Sequence, residues 1–230
     1  MIGNLEEIIM IVDSMTHAEV YKELERDREN MSRWWWHQHE GRRRKVMKCK
    51  KFPIKIWEEY TSPRKVLYHF FTTIFEKRMR HVLTGVVALR RMPDGWAAYT
   101  TWTDDADRRG FTPMVILPHA FKRYAERCHV NKTGIDLIKH YLMNNARGKD
   151  SSNQKAVGRS VRYAGMTHLS RCANEGVLLG QVEDDLIIFH TFITYDMCSG
   201  QQKEEFDGCS QQIPTDTELL ERRLRQKLLN

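Results

Sequence analysis

An α+β fold, an antiparallel sheet packed against helices with N- and C-terminal helical elements, is what this 230-residue chain predicts. Three observations carry the prediction. Apolar residues recur at helical spacing near both ends; the middle and a late segment are dense in aromatic and β-branched residues; two further helical stretches lie between those strand-like regions. Composition agrees, since 41% of residues are hydrophobic and 29% charged, enough for one sizeable core and too apolar for a disordered chain.

The elements follow in order. Asn4 with Glu7 reads as an N-cap and its partner, ahead of Leu5, Ile8, Ile9 and Val12 on one stripe. Thr16 and Glu19 repeat the capping pattern, and Val20, Leu24 and Met31 give a second helix its apolar stripe. Up to Asn30 the chain is acidic; beyond Arg33 the charge reverses through Arg42, Arg43, Arg44, Lys45, Lys48, Lys50 and Lys51. That reversal, with Gly41 inside it, predicts a boundary between an N-terminal helical element at 1–41 and a main α+β domain at 42–213. Strands are expected at 65–75, 81–89 and 96–102, the last two joined by a turn at Pro93-Asp94-Gly95, with a polar loop at 103–110.

After Pro118 a helix carries Phe121, Tyr124, Ala125 and Cys128 on its apolar stripe, and Thr133 with Asp136 opens the next, with Ile135, Ile138 and Leu142. Residues 144–160 read as an exposed basic loop, 176–182 and 185–195 as a hairpin closing the core. A C-terminal amphipathic helix is expected at 214–230, with Leu220, Leu224 and Leu228 opposite Arg222, Arg223, Arg225 and Lys227. Its apolar side is a candidate dock for a protein partner.

The net charge of +7 favours a polyanionic partner, RNA or another nucleic acid. The five cysteines are scattered, with neither a disulfide framework nor zinc-site spacing, and the default compartment is a reducing cytoplasm. No apolar run approaches the roughly 18 residues of a membrane span, so no membrane association is expected. The chain has no HExxH, GxSxG, Walker or dinucleotide-binding pattern, so no cofactor or metal is expected. His37 and His39 lie too close to share a helix face, which leaves zinc there unsupported.

Two segments carry chemistry. His119, Arg123 and Arg127 fall at i, i+4 and i+8 on one helix and form a ridge flanking its apolar stripe. A histidine moves protons near neutrality, and arginines suit a phosphate or a developing oxyanion. In the closing strand, strict alternation puts Ile188, His190, Phe192 and Thr194 on one face. His190 there is either chemical or a hydrogen-bonded structural histidine. The aromatic-basic run from Trp34 through Arg42, Arg43 and Arg44 is a candidate nucleic-acid-binding surface, or else a helix end docking its tryptophans on the core.

The PHAFKRYAER helix, followed by GVLLGQV and LIIFHTFITYDM, resembles the helix-then-hairpin layout of RelE-like and barnase/EndoU/colicin-type ribonucleases, over residues 114–197. The resemblance implies metal-independent RNA cleavage, in which a basic group activates the ribose 2′-hydroxyl and arginines stabilise charge on the phosphate. His119, Arg123 and His190 are then the catalytic candidates, and Arg127 and Thr194 the phosphate-binding ones. The alternatives are a non-catalytic nucleic-acid-binding protein and an accessory protein that docks on a partner.

Overall fold

The structure, a computed structural model, describes residues 14–79, 82–102, 114–145, 148–151, 167–183 and 186–211. The helix expected after Asn4, the loop at 103–110, the 183–185 turn and the C-terminal helix at 214–230 fall wholly or partly outside those residues.

Helix α1 (His17–His37) starts on the expected capping box: Glu19 N–H donates to the Thr16 hydroxyl and Thr16 N–H to the Glu19 carboxylate. It passes through Gln38, which caps both helices, into α2 (His39–Met47). Among the described residues nine strands follow in one sheet: β1 (Ile54–Thr61), β2 (Leu67–Ile74), β3 (Val82–Met92), β4 (Gly95–Trp102), β5 (Met114–Ile116), β6 (Gly148–Ser151), β7 (Thr167–Ala173), β8 (Val177–Glu183) and β9 (Leu186–Ile193). Helices α3 (Pro118–Arg127) and α4 (Gly134–Asn145) separate β5 from β6, and α5 (Gln201–Gln211) follows a 3-10 turn at Tyr195–Met197.

Strand order is β1-β2-β3-β4-β5-β9-β8-β7-β6. All neighbours are antiparallel except β5 and β9, which run parallel with Val115 opposite Ile188. The sheet is therefore two antiparallel meanders joined at a parallel seam.

Both faces are covered. Alternation sends Tyr68, Phe70, Val86, Ala88, Ala97 and Tyr99 towards Val20, Leu24 and Met31 of α1. The opposite residues Phe71, Val87, Leu89 and Ala98 meet Ala120, Phe121 and Tyr124 of α3 and Leu137, Ile138 and Tyr141 of α4. A full burial such as that of Phe70, Phe189 or Phe192 contributes roughly 1.5–3 kcal/mol.

Three expectations are corrected here. The 41/42 boundary falls inside α2, and α2 buries Arg42 and Val46 alongside the α1 layer, so the charge reversal marks a surface rather than a break in the fold. Part of the expected 144–160 loop is β6, paired to β7 from Gly148↔Ala173 to Ser151↔Ser170. Most consequential is β9, whose alternation is not strict. Leu179 pairs with Thr191 but Gly180 with Phe189, so His190 is an extra, bulged residue. Phe189 and Phe192 consequently share the α3/α4 face. Gly180 permits the bulge, because a Cβ there would stand 2.2 Å from the Ile188 carbonyl oxygen.

Candidate functional site

The ridge on α3 forms as its spacing predicts. Pro118 occupies the first turn, where its missing N–H costs nothing, and His119 projects into solvent. Arg123 Nε donates to His119 Nε2 at 3.3 Å, and Arg123 Nη1 pairs with Glu126 at 2.9 Å. Arg127 turns inward and donates from Nη1 to the Phe192 carbonyl, bridging α3 to β9. The three residues thus have different surroundings, and Arg127 spends a donor on the fold.

His190 does not join them. It lies towards the α1 side of the sheet, within electrostatic reach of His17 and Glu183, while α3 packs on the other side against Phe189 and Phe192. Its Nε2 is buried without a partner among the described residues. Burial holds the His190 imidazole below its ordinary value, with Glu183 opposing the shift. His17 is lowered by burial and then by Arg90, and its Nδ1 meets the Tyr99 hydroxyl at 2.8 Å. Arg90 donates to that hydroxyl at 3.4 Å and to the Met15 carbonyl at 2.5 Å. Thr194 caps the 3-10 turn, and its hydroxyl is engaged by Asp196, whose carboxyl that bond lowers. The expected His119–Arg123–His190 cleft is therefore divided by the sheet. The physical reason is that His190 follows Ile188 to the α1 side, opposite Phe189, while the bulge carries Phe192 but not His190 to the side that α3 covers.

The α3/α4 side holds instead a polar network that sequence reasoning missed. The Tyr124 hydroxyl donates to Glu175 Oε2 at 2.6 Å and lies 3.0 Å from His140 Nδ1. Asn145 Nδ2 also donates to Glu175 Oε2, at 2.6 Å, while Glu175 N–H returns a bond to Asn145 Oδ1 at 3.0 Å. Burial, then the bond to Glu175, push the Tyr124 phenol far above its ordinary value, so it remains a hydroxyl donor. The same surroundings push the Cys128 thiol up to about 11. Tyr124 is fully buried, and the network clips the β7–β8 turn to the ends of both helices. Its sequence signal is faint: Asn174-Glu175-Gly176 reads only as a turn.

The basic run resolves into two roles. Arg42, expected on the nucleic-acid surface, is 1% exposed. Its Nε bonds Glu58 at 2.5 Å, its Nη1 the Trp35 carbonyl at 2.7 Å, and its guanidinium lies 3.5 Å from a Trp35 ring centroid. Burial lowers its value and Glu58 restores part of it. Arg42 is thus an internal anchor, because a cation reaching the core side of a two-residue stripe must be paired. Arg43 and Arg44 remain exposed, with Lys45, Lys48, Lys50 and Lys51 beyond them. The tryptophans divide likewise. Trp34 and Trp35 lie on Phe70 at centroid distances of 4.8 and 5.8 Å, whereas Trp36 is 58% exposed. Beside Trp36 runs an open groove whose wall, among the described residues, is Glu29, Ser32, Arg33, Trp36 and His37.

Among the described residues no cluster of histidines, cysteines and carboxylates could hold a metal ion, and no helix is long and apolar enough to cross a membrane. Comparison with protein-family models, curated proteins and solved structures finds no match.

Proposed function

We propose that this chain is a nucleic-acid-binding protein that holds the phosphate backbone on the outer surface of α1–α2. One observation carries the reading. Helix α2 buries only Arg42 and Val46, which leaves Arg43, Arg44 and Lys45 in solvent, followed by Lys48, Lys50 and Lys51, with Glu40 the one acid between His39 and Lys51. Among the described residues these cations make no ion pair inside the fold, and Arg43 meets Glu40 at 3.3 Å on the surface. Their proximity costs self-repulsion, which a polyanion relieves by displacing its counterions onto bulk solvent.

The test is RNA binding by the full chain at several salt concentrations. Replacing Arg43, Arg44 and Lys45 together by glutamine should weaken binding and reduce the slope of log affinity against log salt by about two to three. An unchanged slope would sink the proposal. The same samples read cleavage: RNA cut in the presence of a chelator would bring back the ribonuclease reading, with His119 and Arg123, the adjoining pair on α3, as the residues to substitute first.

A further inference from the structure

The ligand class can be narrowed at the same surface, on the basis of that phosphate-binding reading. We infer that Trp36 is a stacking platform for unpaired bases, so the nucleic acid held on α1–α2 is single-stranded.

Three consecutive tryptophans on a helix point in directions about 100° apart, so they cannot all face the core. Trp34 and Trp35 take the core positions: Trp34 stacks on Tyr60 at 5.1 Å and Trp35 lies nearly parallel to Phe70, 6° apart. Trp36 is the one turned outward. Leaving an indole this exposed forfeits burial energy that the fold takes from its two neighbours. The ring is nonetheless not isolated. The His39 ring lies 6.0 Å from it, tilted by 40°, and Ser32, Arg33 and His37 continue the groove wall beside it. The carboxylates nearest Trp36 along the chain are both engaged: Glu29 lies 3.7 Å from Arg33 and Glu40 3.3 Å from Arg43.

A phosphate backbone alone has no use for an indole face. A base has, and stacking on an aromatic side chain tolerates any base because every base has a π-face. In a duplex those faces are consumed by neighbouring base pairs, so Trp36 adds affinity only where bases are unpaired. Cations set beside an aromatic are the arrangement that follows a single strand: charge tracks the phosphates while the ring takes a base. Arg43, Arg44 and Lys45 begin one helical turn beyond His39, close enough for one short strand to meet both.

The experiment measures anisotropy of a short labelled oligouridine, alone and annealed to oligoadenine, with the full chain and with Trp36→Ala, Trp36→Phe and the triple glutamine variant. Trp36 is exposed, so both substitutions should leave the circular dichroism and melting temperature of the parent. The expected result is tighter binding of the single strand, a loss of roughly 5- to 100-fold for it on Trp36→Ala, and recovery of most of that in Trp36→Phe. The duplex should lose little from either Trp36 change but should weaken in the triple variant. Equal affinity for both forms, untouched by Trp36→Ala, overturns the stacking inference while the phosphate reading stands. Absence of binding to either form at low salt overturns both, and leaves this face to a protein partner.

Discussion

The two faces of the sheet are covered in opposite ways. On the α1/α2 face the helices bring isolated charges into the core, each held by a few dedicated partners: Asp27 by the Tyr68 hydroxyl at 2.9 Å, Arg42 by Glu58 and the Trp35 carbonyl. On the α3/α4 face the core is apolar and edge-to-face aromatic, with Tyr124 and Phe192 at 5.2 Å and 84°, and the polar groups form a shared network at its rim. On the outward side of α1 and α2, Arg28, Arg33 and Arg43 hold surface ion pairs with Glu25, Glu29 and Glu40, whereas Arg44 and Lys45 make no ion pair among the described residues. The α3/α4 network consumes its histidine, carboxylate and amides internally. The proposed binding surface is thus the side of a helix that buries little.

That contrast can be broken from either side. The largest effect should come from Arg42→Ala, which strands Glu58 and removes the guanidinium from the Trp35 face; a loss of about 3–5 kcal/mol is expected, read by urea denaturation. Arg42→Lys should recover little of it, since an ammonium cannot bond Glu58 and the Trp35 carbonyl while stacking. A loss under about 1 kcal/mol would mean that the pair is not an anchor.

On the other face Tyr124→Phe keeps the ring and deletes one member of a network in which Asn145 still supports Glu175. About 1–3 kcal/mol should be lost, less than for Arg42, because the remaining bonds share the load. A cost equal to that of Arg42→Ala would erase the distinction between dedicated and shared partners.

The smallest effect is pH-dependent and belongs to the α1 face. His17 and His190 are held below their ordinary value when folded, so the unfolded chain takes up their protons more readily. Their contribution is fully present above the unfolded value, about 6.5, and is lost as pH falls from there towards the folded values. The melting temperature should therefore drop between about pH 7 and pH 5, and His17→Gln should flatten part of that drop. A profile identical to the parent's would show that His17 is already solvated.

Much of this was legible in the sequence. The Thr16–Glu19 box, Pro118 at the start of α3, and strands β2, β3, β4 and β8 follow from capping chemistry and from dense aromatic or β-branched runs. What escaped has weak pattern for physical reasons. Strand β1 lies at an edge and carries Lys55, Glu58 and Glu59; β7 mixes Ser170 and Arg171 with its apolar residues; α5 is held by just Phe206 and Cys209 among its buried residues. The candidate site suffered more. Nothing in β9 itself announces the bulge, and the only available signal was a glycine in the partner strand at Gly180. Arg42 is indistinguishable from Arg43 and Arg44 by residue type, and only the position of Val46 one turn later places it inward.

The parallel seam between β5 and β9 has a consequence for assembly. Each meander closes through neighbours near in sequence, whereas Met114 meets Ile187 only after every intervening element has been made. Contacts that distant are late to form, because the chain entropy of closing a long loop is lost before any of the reward arrives. The seam should then be the join at which two preformed halves meet, last to zip and first to part under denaturant. Amide exchange slower within β2–β3 than across Val115 and Ile188, two residues almost wholly buried, would show a molecule that opens down the middle like a book along its spine.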